Sequence, residues 1–418
     1  MDLNAPRAGG SERGAQAAGG AGGADVARHA IGGVAPRRVA RPATREEAAG
    51  VLREAAREGL AVVPWGGGVA LPHEAAPQRY DLALDLGALD RIVAYDPEDL
   101  TITAECGVTV AALRAALAAH GQELPLEAPH AARATLGGAL AANASGPRRL
   151  RFGAPRDRIL GARYALGDGT LARSGGSVVK NVAGYGLHRM MCGSRGGLAA
   201  IVEASLKLMP APAARVALVY AADAAALAEA GRWAALPGLE PAALTVAPRD
   251  AAPGGAPHGD GFAVTVALED DAAWVAEQER RVTAALGAPA LRLEGAAARA
   301  LLEDLADLEE TPGPRLTFAT SGNTPAALVA ALGPLAGARL VFHAPAGRLH
   351  ALGAVADARE AVLALARAGF ALLDARGAGE VPPAPAPFAA LRALRARVRD
   401  AVDPGGRFAL GERWVASG

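Results

Sequence analysis

Apolar residues recur with a helical period just after residue 43. Ala48, Val51, Leu52, Ala55 and Ala56 fall at i, i+3, i+4, i+7 and i+8, one stripe of an amphipathic helix. Thr44-Arg45-Glu46-Glu47 reads as a capping box that opens this helix, and Gly59 as its left-handed stop. Ala61-Val62-Val63-Pro64 then predicts a short buried strand, and Trp65-Gly66-Gly67-Gly68 a tight loop. From Leu82 the period becomes two. Leu82, Leu84 and Leu86 predict a strand, Ile92 to Tyr95 a second, and Thr101 to Ala104 a third, with Asp96-Pro97-Glu98-Asp99 as the turn between the last two. Thr109 caps a helix carrying Ala112, Leu113, Ala116 and Leu117, which Gly121 ends. Gly167-Asp168-Gly169 joins two further strands as a hairpin. Val202, Ala204, Leu206 and Leu208 alternate with Glu203, Ser205 and Lys207, predicting a half-buried strand that Pro210 closes.

Ala211 to Ala214 reads as a domain boundary. Beyond it, strand-like runs over Val216–Tyr220, Phe262–Leu268, Arg315–Ala319 and Arg339–His343 alternate with alanine-rich helices, an α+β pattern. Pro382 to Pro387 reads as a linker and Phe388 to Val402 as a closing helix. The expected organisation is a flexible Gly/Ala-rich tail over 1–33, one domain over 34–212, a smaller α+β domain over 213–381, and a closing segment over 382–418.

Composition narrows the chemistry. The 418 residues carry 43 Lys+Arg against 43 Asp+Glu, so there is no net field to gather polyanions, and a nucleic-acid partner is not expected. Two cysteines, Cys106 and Cys192, are too few for a zinc ribbon or a cysteine-ligated iron–sulfur cluster. No apolar run reaches the ~18 residues of a membrane span, and Met1 to Gly23 lacks a leader pattern, so a soluble, cytoplasmic chain is expected. Lys180 and Lys207 are the only lysines and asparagine is nearly as scarce, so the cluster Lys180, Asn181, Tyr185, His188 stands out against an alanine-rich background.

Three constellations carry candidate chemistry. Gly66-Gly67-Gly68 after a strand can turn successive backbone N–H groups toward phosphate oxygens, or can be an ordinary turn. It is not a Walker loop, because no Lys-Ser/Thr follows, nor a Rossmann fingerprint, because Leu71 occupies the third glycine position. Thr135-Leu136-Gly137-Gly138 followed by Ala139 to Gly146 starts a short helix from small residues, suited to a flat ligand at its positive end or to close helix–sheet packing. Lys180 to Leu187, running on to Gly193-Ser194-Arg195-Gly196-Gly197, offers a cation, an amide and a phenol in one loop. Lys180 and Tyr185 are the tentative catalytic pair.

Taken together, Pro64 to Gly68, Thr135 to Gly146 with Pro147-Arg148-Arg149, Arg156-Asp157, Lys180 to Leu187 and Gly193-Ser194 resemble the vanillyl-alcohol-oxidase (PCMH-type) FAD-binding family, and within it the FAD-binding E subunits of bacterial glycolate oxidases. The resemblance implies a two-subdomain FAD-binding domain followed by an α+β substrate or cap domain. It implies noncovalent FAD held by Pro64, Trp65, Gly66, Gly67, Gly68, Val69, Ala70, Pro129, Leu136, Gly137, Gly138, Asn143, Ser145, Gly146 and Ile201. Arg149, Lys180, Asn181 and Tyr185 would lie at the substrate or flavin edge. It further implies oxidation of a small 2-hydroxy acid, with a catalytic-type flavin subunit and an iron–sulfur subunit as partners. Alternatives are a non-catalytic assembly subunit of the same fold and a stand-alone D-2-hydroxy-acid dehydrogenase. His343 and His350 resemble the two-histidine metal motif of such enzymes only loosely. Pro345, Ala346 and Arg348 interrupt it, so they are read as incidental residues of a strand and a loop, with no metal expected.

Overall fold

The computed structural model describes residues 23–71, 76–178, 185–229, 238–249, 261–320, 325–344, 346–377 and 387–411, and the chain falls into two units. The first comprises residues 1–144, 154–211 and 389–417; the second comprises 145–153 and 212–388.

In the first unit, α1 (Gly23–Arg28) precedes β1 (Arg38–Ala40). Of the expected tail over 1–33, residues 1–22 lie outside the described residues, whereas Ile31 and His29 are fully buried, because the segment after α1 packs on Val63, Trp65 and Tyr80. Helix α2 (Arg45–Glu58) is built as its sequence predicts. Thr44 Oγ1 accepts from Glu47 N at 3.1 Å, Glu47 Oε2 accepts from Ala43 N at 2.8 Å, and Gly59 ends the helix at φ 69°. A parallel sheet of order β1–β3–β2 is formed with β2 (Val62–Trp65) and β3 (Leu82–Asp85). All four residues of the central strand β3 are buried, so the alternation of Leu82, Leu84 and Leu86 does not mark one wet face.

The second sheet of this unit has order β4–β5–β9–β7–β8, antiparallel throughout, from β4 (Ile92–Asp96), β5 (Thr101–Glu105), β7 (Ile159–Ala165), β8 (Leu171–Gly175) and β9 (Ala200–Lys207). Two-residue strands β6 (Gln122–Glu123) and β10 (Met209–Pro210) pair beside it. The expected turn and hairpin are present: Asp96 Oδ1 accepts from Glu98 N and Asp99 N, and Leu166 N bonds Thr170 O. Strand β9 is central rather than half-wet. Glu203 is buried, held by Arg45 at 2.9 Å and Arg163 at 2.8 Å, and Ser205 bonds Thr103 at 2.8 Å. One core joins α2 (Ala48, Leu52, Ala55) to both sheets (Val62, Leu84, Ala165, Val202), and Phe408 enters it as residues 407–409 run beside β2.

The second unit is an eight-stranded antiparallel sheet of order β14–β11–β13–β12–β16–β17–β15–β18. Its strands are β11 (Ala214–Ala222), β12 (Ala243–Pro248), β13 (Phe262–Asp270), β14 (Leu291–Glu294), β15 (Arg315–Thr320), β16 (Arg339–His343), β17 (Arg348–Leu352) and β18 (Phe370–Arg376). Successive residues of β11 feed two cores, Val216, Leu218 and Tyr220 one, Ala217 and Val219 the other, so both faces of the sheet are covered. The segment 145–153 belongs here although it lies within the stretch 34–212. Glu269, fully buried, accepts from Arg148 at 2.6 and 3.0 Å and from Arg215 at 2.8 Å. The expected linker lies largely outside the described residues, and the closing helix runs Pro387–Val402.

Candidate flavin site

Strand β2 delivers the first glycine loop. Trp65 is buried at its end, and Gly68, at φ 62°, rests on the indole: a methyl group on Gly68 would lie 3.0 Å from Trp65 Cζ2. A methyl on Gly66 would lie 2.3 Å from Thr135 Oγ1, and one on Gly67 1.7 Å from the Arg133 carbonyl oxygen. Arg133 Nη2 donates to Gly68 O at 2.9 Å. The two glycine segments singled out in the sequence are therefore neighbours, backbone against backbone, an approach that side chains would forbid. Among the described residues no acceptor meets the backbone N–H groups of Gly66, Gly67, Gly68, Val69 or Ala70, all half-buried.

Helix α4 (Leu136–Ala142) follows Thr135. Its opening donors are engaged by the protein itself: Leu136 N bonds Val108 O at 2.8 Å, Gly137 N bonds Cys106 O at 2.8 Å, and Gly138 N bonds Thr135 Oγ1 at 3.2 Å. The expectation that this helix start faces an anion is corrected. Gly137 permits close packing instead, since a methyl there would be 2.8 Å from Cys106 Cβ and 3.5 Å from Ile201 O. Leu136 and Ile201 are core residues, and Pro129 is buried beside half-buried His130.

The far end of α4 meets a third segment. Gly193 N bonds Leu140 O at 3.0 Å and Arg195 N bonds Ala141 O at 2.8 Å, while a methyl on Gly196 would lie 3.3 Å from Pro64 Cδ. Residues 193–197 thus bridge α4 to the start of the first loop. Asn143, in the left-handed region at φ 51°, and fully buried Ser194 sit there with Asn143 Oδ1 and Ser194 Oγ meeting no partner among the described residues. Orphaned buried oxygens cost stability unless a ligand satisfies them. The unclaimed amide donors fit an acceptor-rich diphosphate, and Asn143 Oδ1, an acceptor, fits a donor group elsewhere on a dinucleotide. The sequence reading named Asn143 as a site residue and Ser194 only within the Gly193–Gly197 motif; it did not single out Arg133.

Of the remaining candidates, some belong to the second unit and some lie outside the described residues. Ser145, Gly146 and Arg149 belong to the second unit, where Arg149 Nη1 donates to Ser145 Oγ at 2.8 Å. Lys180 and Asn181 lie outside the described residues, and Tyr185 is 90% exposed. Burial pushes the Cys192 thiol up to about 12 and that of Cys106 well above its ordinary range, which disfavours the thiolate.

In the second unit, His343 and His350 are not incidental. Glu309, just after the helix Gly295–Leu308, comes to both: its carboxylate is 2.8 Å from His343 Nε2 and 3.3 Å from His350 Nε2. Each Nδ1 is braced by a threonine, Thr245 at 2.9 Å and Thr317 at 3.2 Å. Burial, followed by Arg315, holds the His350 imidazole well below its ordinary pKa, in the neutral form. Two imidazoles and a carboxylate, all buried and each imidazole fixed through its second nitrogen, are a donor set that suits a divalent cation. No spacing rule links position 309 to 343 and 350, which is why the sequence reading lacked the third donor.

Residues 36–188 match the family described as FAD binding domain. This stretch is an FAD binding domain. The cofactor of such a domain is FAD; the unclaimed loop amides and Asn143 lie inside the matched stretch, and Ser194 lies just beyond it. The chain is 46% identical over 136 residues, 32% of its length and 39% of the relative's, to glycolate oxidase subunit GlcE of Escherichia coli (strain K12). It is 32% identical over 194 residues, 46% of its length and 41% of the relative's, to glycolate oxidase subunit GlcD of Bacillus subtilis (strain 168). The chain thus spans about two-fifths of the length of these curated relatives. A solved structure of alkyldihydroxyacetonephosphate synthase superposes with TM-score 0.63 at 16% identity, covering 92% of this chain and 78% of that one, which shows a shared α+β fold of the PCMH type. Among the described residues no helix is long and apolar enough to cross a membrane.

Proposed function

We propose that the chain is the FAD-binding subunit of a 2-hydroxy-acid oxidase or dehydrogenase complex of the glycolate type. One observation supports the reading: the Pro64–Ala70 loop, Arg133 to Thr135, Asn143 and residues 193–197 converge, in a chain whose residues 36–188 match the FAD binding domain family and whose relatives include glycolate oxidase subunits. When bound, FAD supplies the hydride acceptor. The residues of the chain hold it: amides of Gly66 to Ala70 receive the diphosphate, Arg133 ties the two loops together, and Asn143 and Ser194 offer buried polar atoms. With only two cysteines, onward electron transfer falls to a partner bearing iron–sulfur clusters, beside a catalytic-type flavin subunit, in the cytoplasm. Glu309, His343 and His350 would hold a divalent ion, which acts as a Lewis acid when bound.

The test begins with the purified chain. Its visible spectrum is expected to show flavin that denaturation releases, and glycolate is expected to reduce a dye only once partner subunits are added. A colourless chain that still captures partners would establish an assembly subunit instead, and full activity of the isolated chain a stand-alone dehydrogenase. Metal analysis of protein purified without chelator should find stoichiometric metal, lost in His350→Ala; its absence from both removes the metal assignment.

A further inference from the structure

We infer that His29, on the segment between α1 and β1, is a positioning residue for the flavin-holding loop; this rests on the reading that Gly66 to Ala70 receive the FAD diphosphate. His29 is fully buried. Its Nδ1 is 2.8 Å from the Asp25 carbonyl oxygen and its Nε2 is 3.2 Å from Asp85 Oδ2. Both partners are acceptors, so whichever ring nitrogen carries a hydrogen has one to donate to. Asp85, at the end of β3, also accepts from Gly87 N at 3.0 Å and Arg41 Nε at 2.9 Å, and Arg41 reaches back to Asp25. The imidazole is thereby fixed from two elements.

What the fixed ring touches gives it a role. Its centroid lies 4.9 Å from that of the Trp65 ring, tilted by 58°. Trp65 is in turn the floor beneath Gly68. The contact chain runs from Asp85 through His29 and Trp65 to the loop. The surrounding packing is directed to the same place: Ile31 is buried with Val63, Trp65, Tyr80 and Leu410, and Tyr80 OH donates to His29 O at 2.9 Å. A loop that binds through backbone amides needs its φ and ψ set beforehand, because ordering it on binding would subtract from affinity. His29 performs this task through Trp65.

The experiment measures FAD binding by flavin fluorescence in the full chain, at a temperature where circular dichroism shows each apo variant folded. His29→Ala and Asp85→Asn are compared with Ala70→Asp, which places a carboxylate on the loop. The expected result is a dissociation constant raised about tenfold or more in His29→Ala and in Asp85→Asn, a change of ~1.4 kcal/mol per factor of ten. An altered visible circular dichroism of the bound flavin should accompany it, a signal that lowered fold stability alone would not move. Where His29→Ala does not fold, Asp85→Asn decides in the same way. Unchanged affinity in both, with Ala70→Asp weakened, overturns the inference and leaves the loop reading intact. Unchanged affinity in Ala70→Asp overturns the loop reading, and the inference with it.

Discussion

A single missing Cβ decides whether the two glycine segments can touch. A methyl on Gly67 would sit 1.7 Å from a backbone oxygen, and no rotamer change relieves a clash with main chain. Gly67→Ala is expected to cost about 1–3 kcal/mol as overpacking and to abolish flavin retention; the flavin-to-protein absorbance ratio after gel filtration checks it. Asp81 offers a pH test. The Ala61 N–H at 2.9 Å, and then Arg79 at 2.8 Å, hold its carboxyl below the usual carboxylate range. A group with a lowered folded pKa stabilises fully above its unfolded pKa of ~3.9 and loses that contribution as pH falls through the folded value. Asp81→Asn should therefore lower urea stability by about 1–3 kcal/mol at pH 7, the wild-type and variant curves converging toward pH 3. At this scale the sequence marked the glycines and Asn143 by type. It marked Ser194 only as part of a motif and could not mark Glu309, whose significance lies in what it meets in space.

Short-range rules succeeded for elements closed by their own residues. Helix α2 has the cap, stripe and stop that its sequence predicts, and Thr44→Ala should cost about 1 kcal/mol, read as a lowered melting temperature. Thr135 has two duties, capping α4 and seating Gly66, so Thr135→Ala should cost about as much in stability and also speed FAD release in stopped-flow displacement. Four strands of the second unit went unread: β12, β14, β17 and β18. In β12 the alternation is absent because Ala243 to Ala247 are all buried, both sheet faces being covered. The short edge strand β14 alternates over only four residues, too few to distinguish from chance. His350 was assigned to a loop, whereas β17 places it in register opposite Thr317, and β16 places His343 opposite Thr245.

For the whole molecule, buried charge marks where the chain must come together. Glu269, its side chain fully buried, satisfies Arg148 and Arg215, also nearly buried, and ties residues 145–153 to the second unit. Glu269→Ala leaves two buried guanidiniums without that partner, at an expected cost of about 3–5 kcal/mol, visible as a lower urea midpoint and faster proteolysis near residue 150. The sequence by itself determined the local pieces: the capped helix, the hairpin, the glycine bends, the shortage of cysteine and the resemblance that named the cofactor. Periodicity and capping act within a few residues, so one strand of text is enough to read them. Tertiary structure alone decided that the two glycine bends abut, that α4 points its opening amides into its own protein, that His29 braces Trp65, and that Glu309 joins His343 and His350. Each of these depends on sheet register and on contacts between residues far apart in the chain, where a slip of one position turns a side chain to the opposite face.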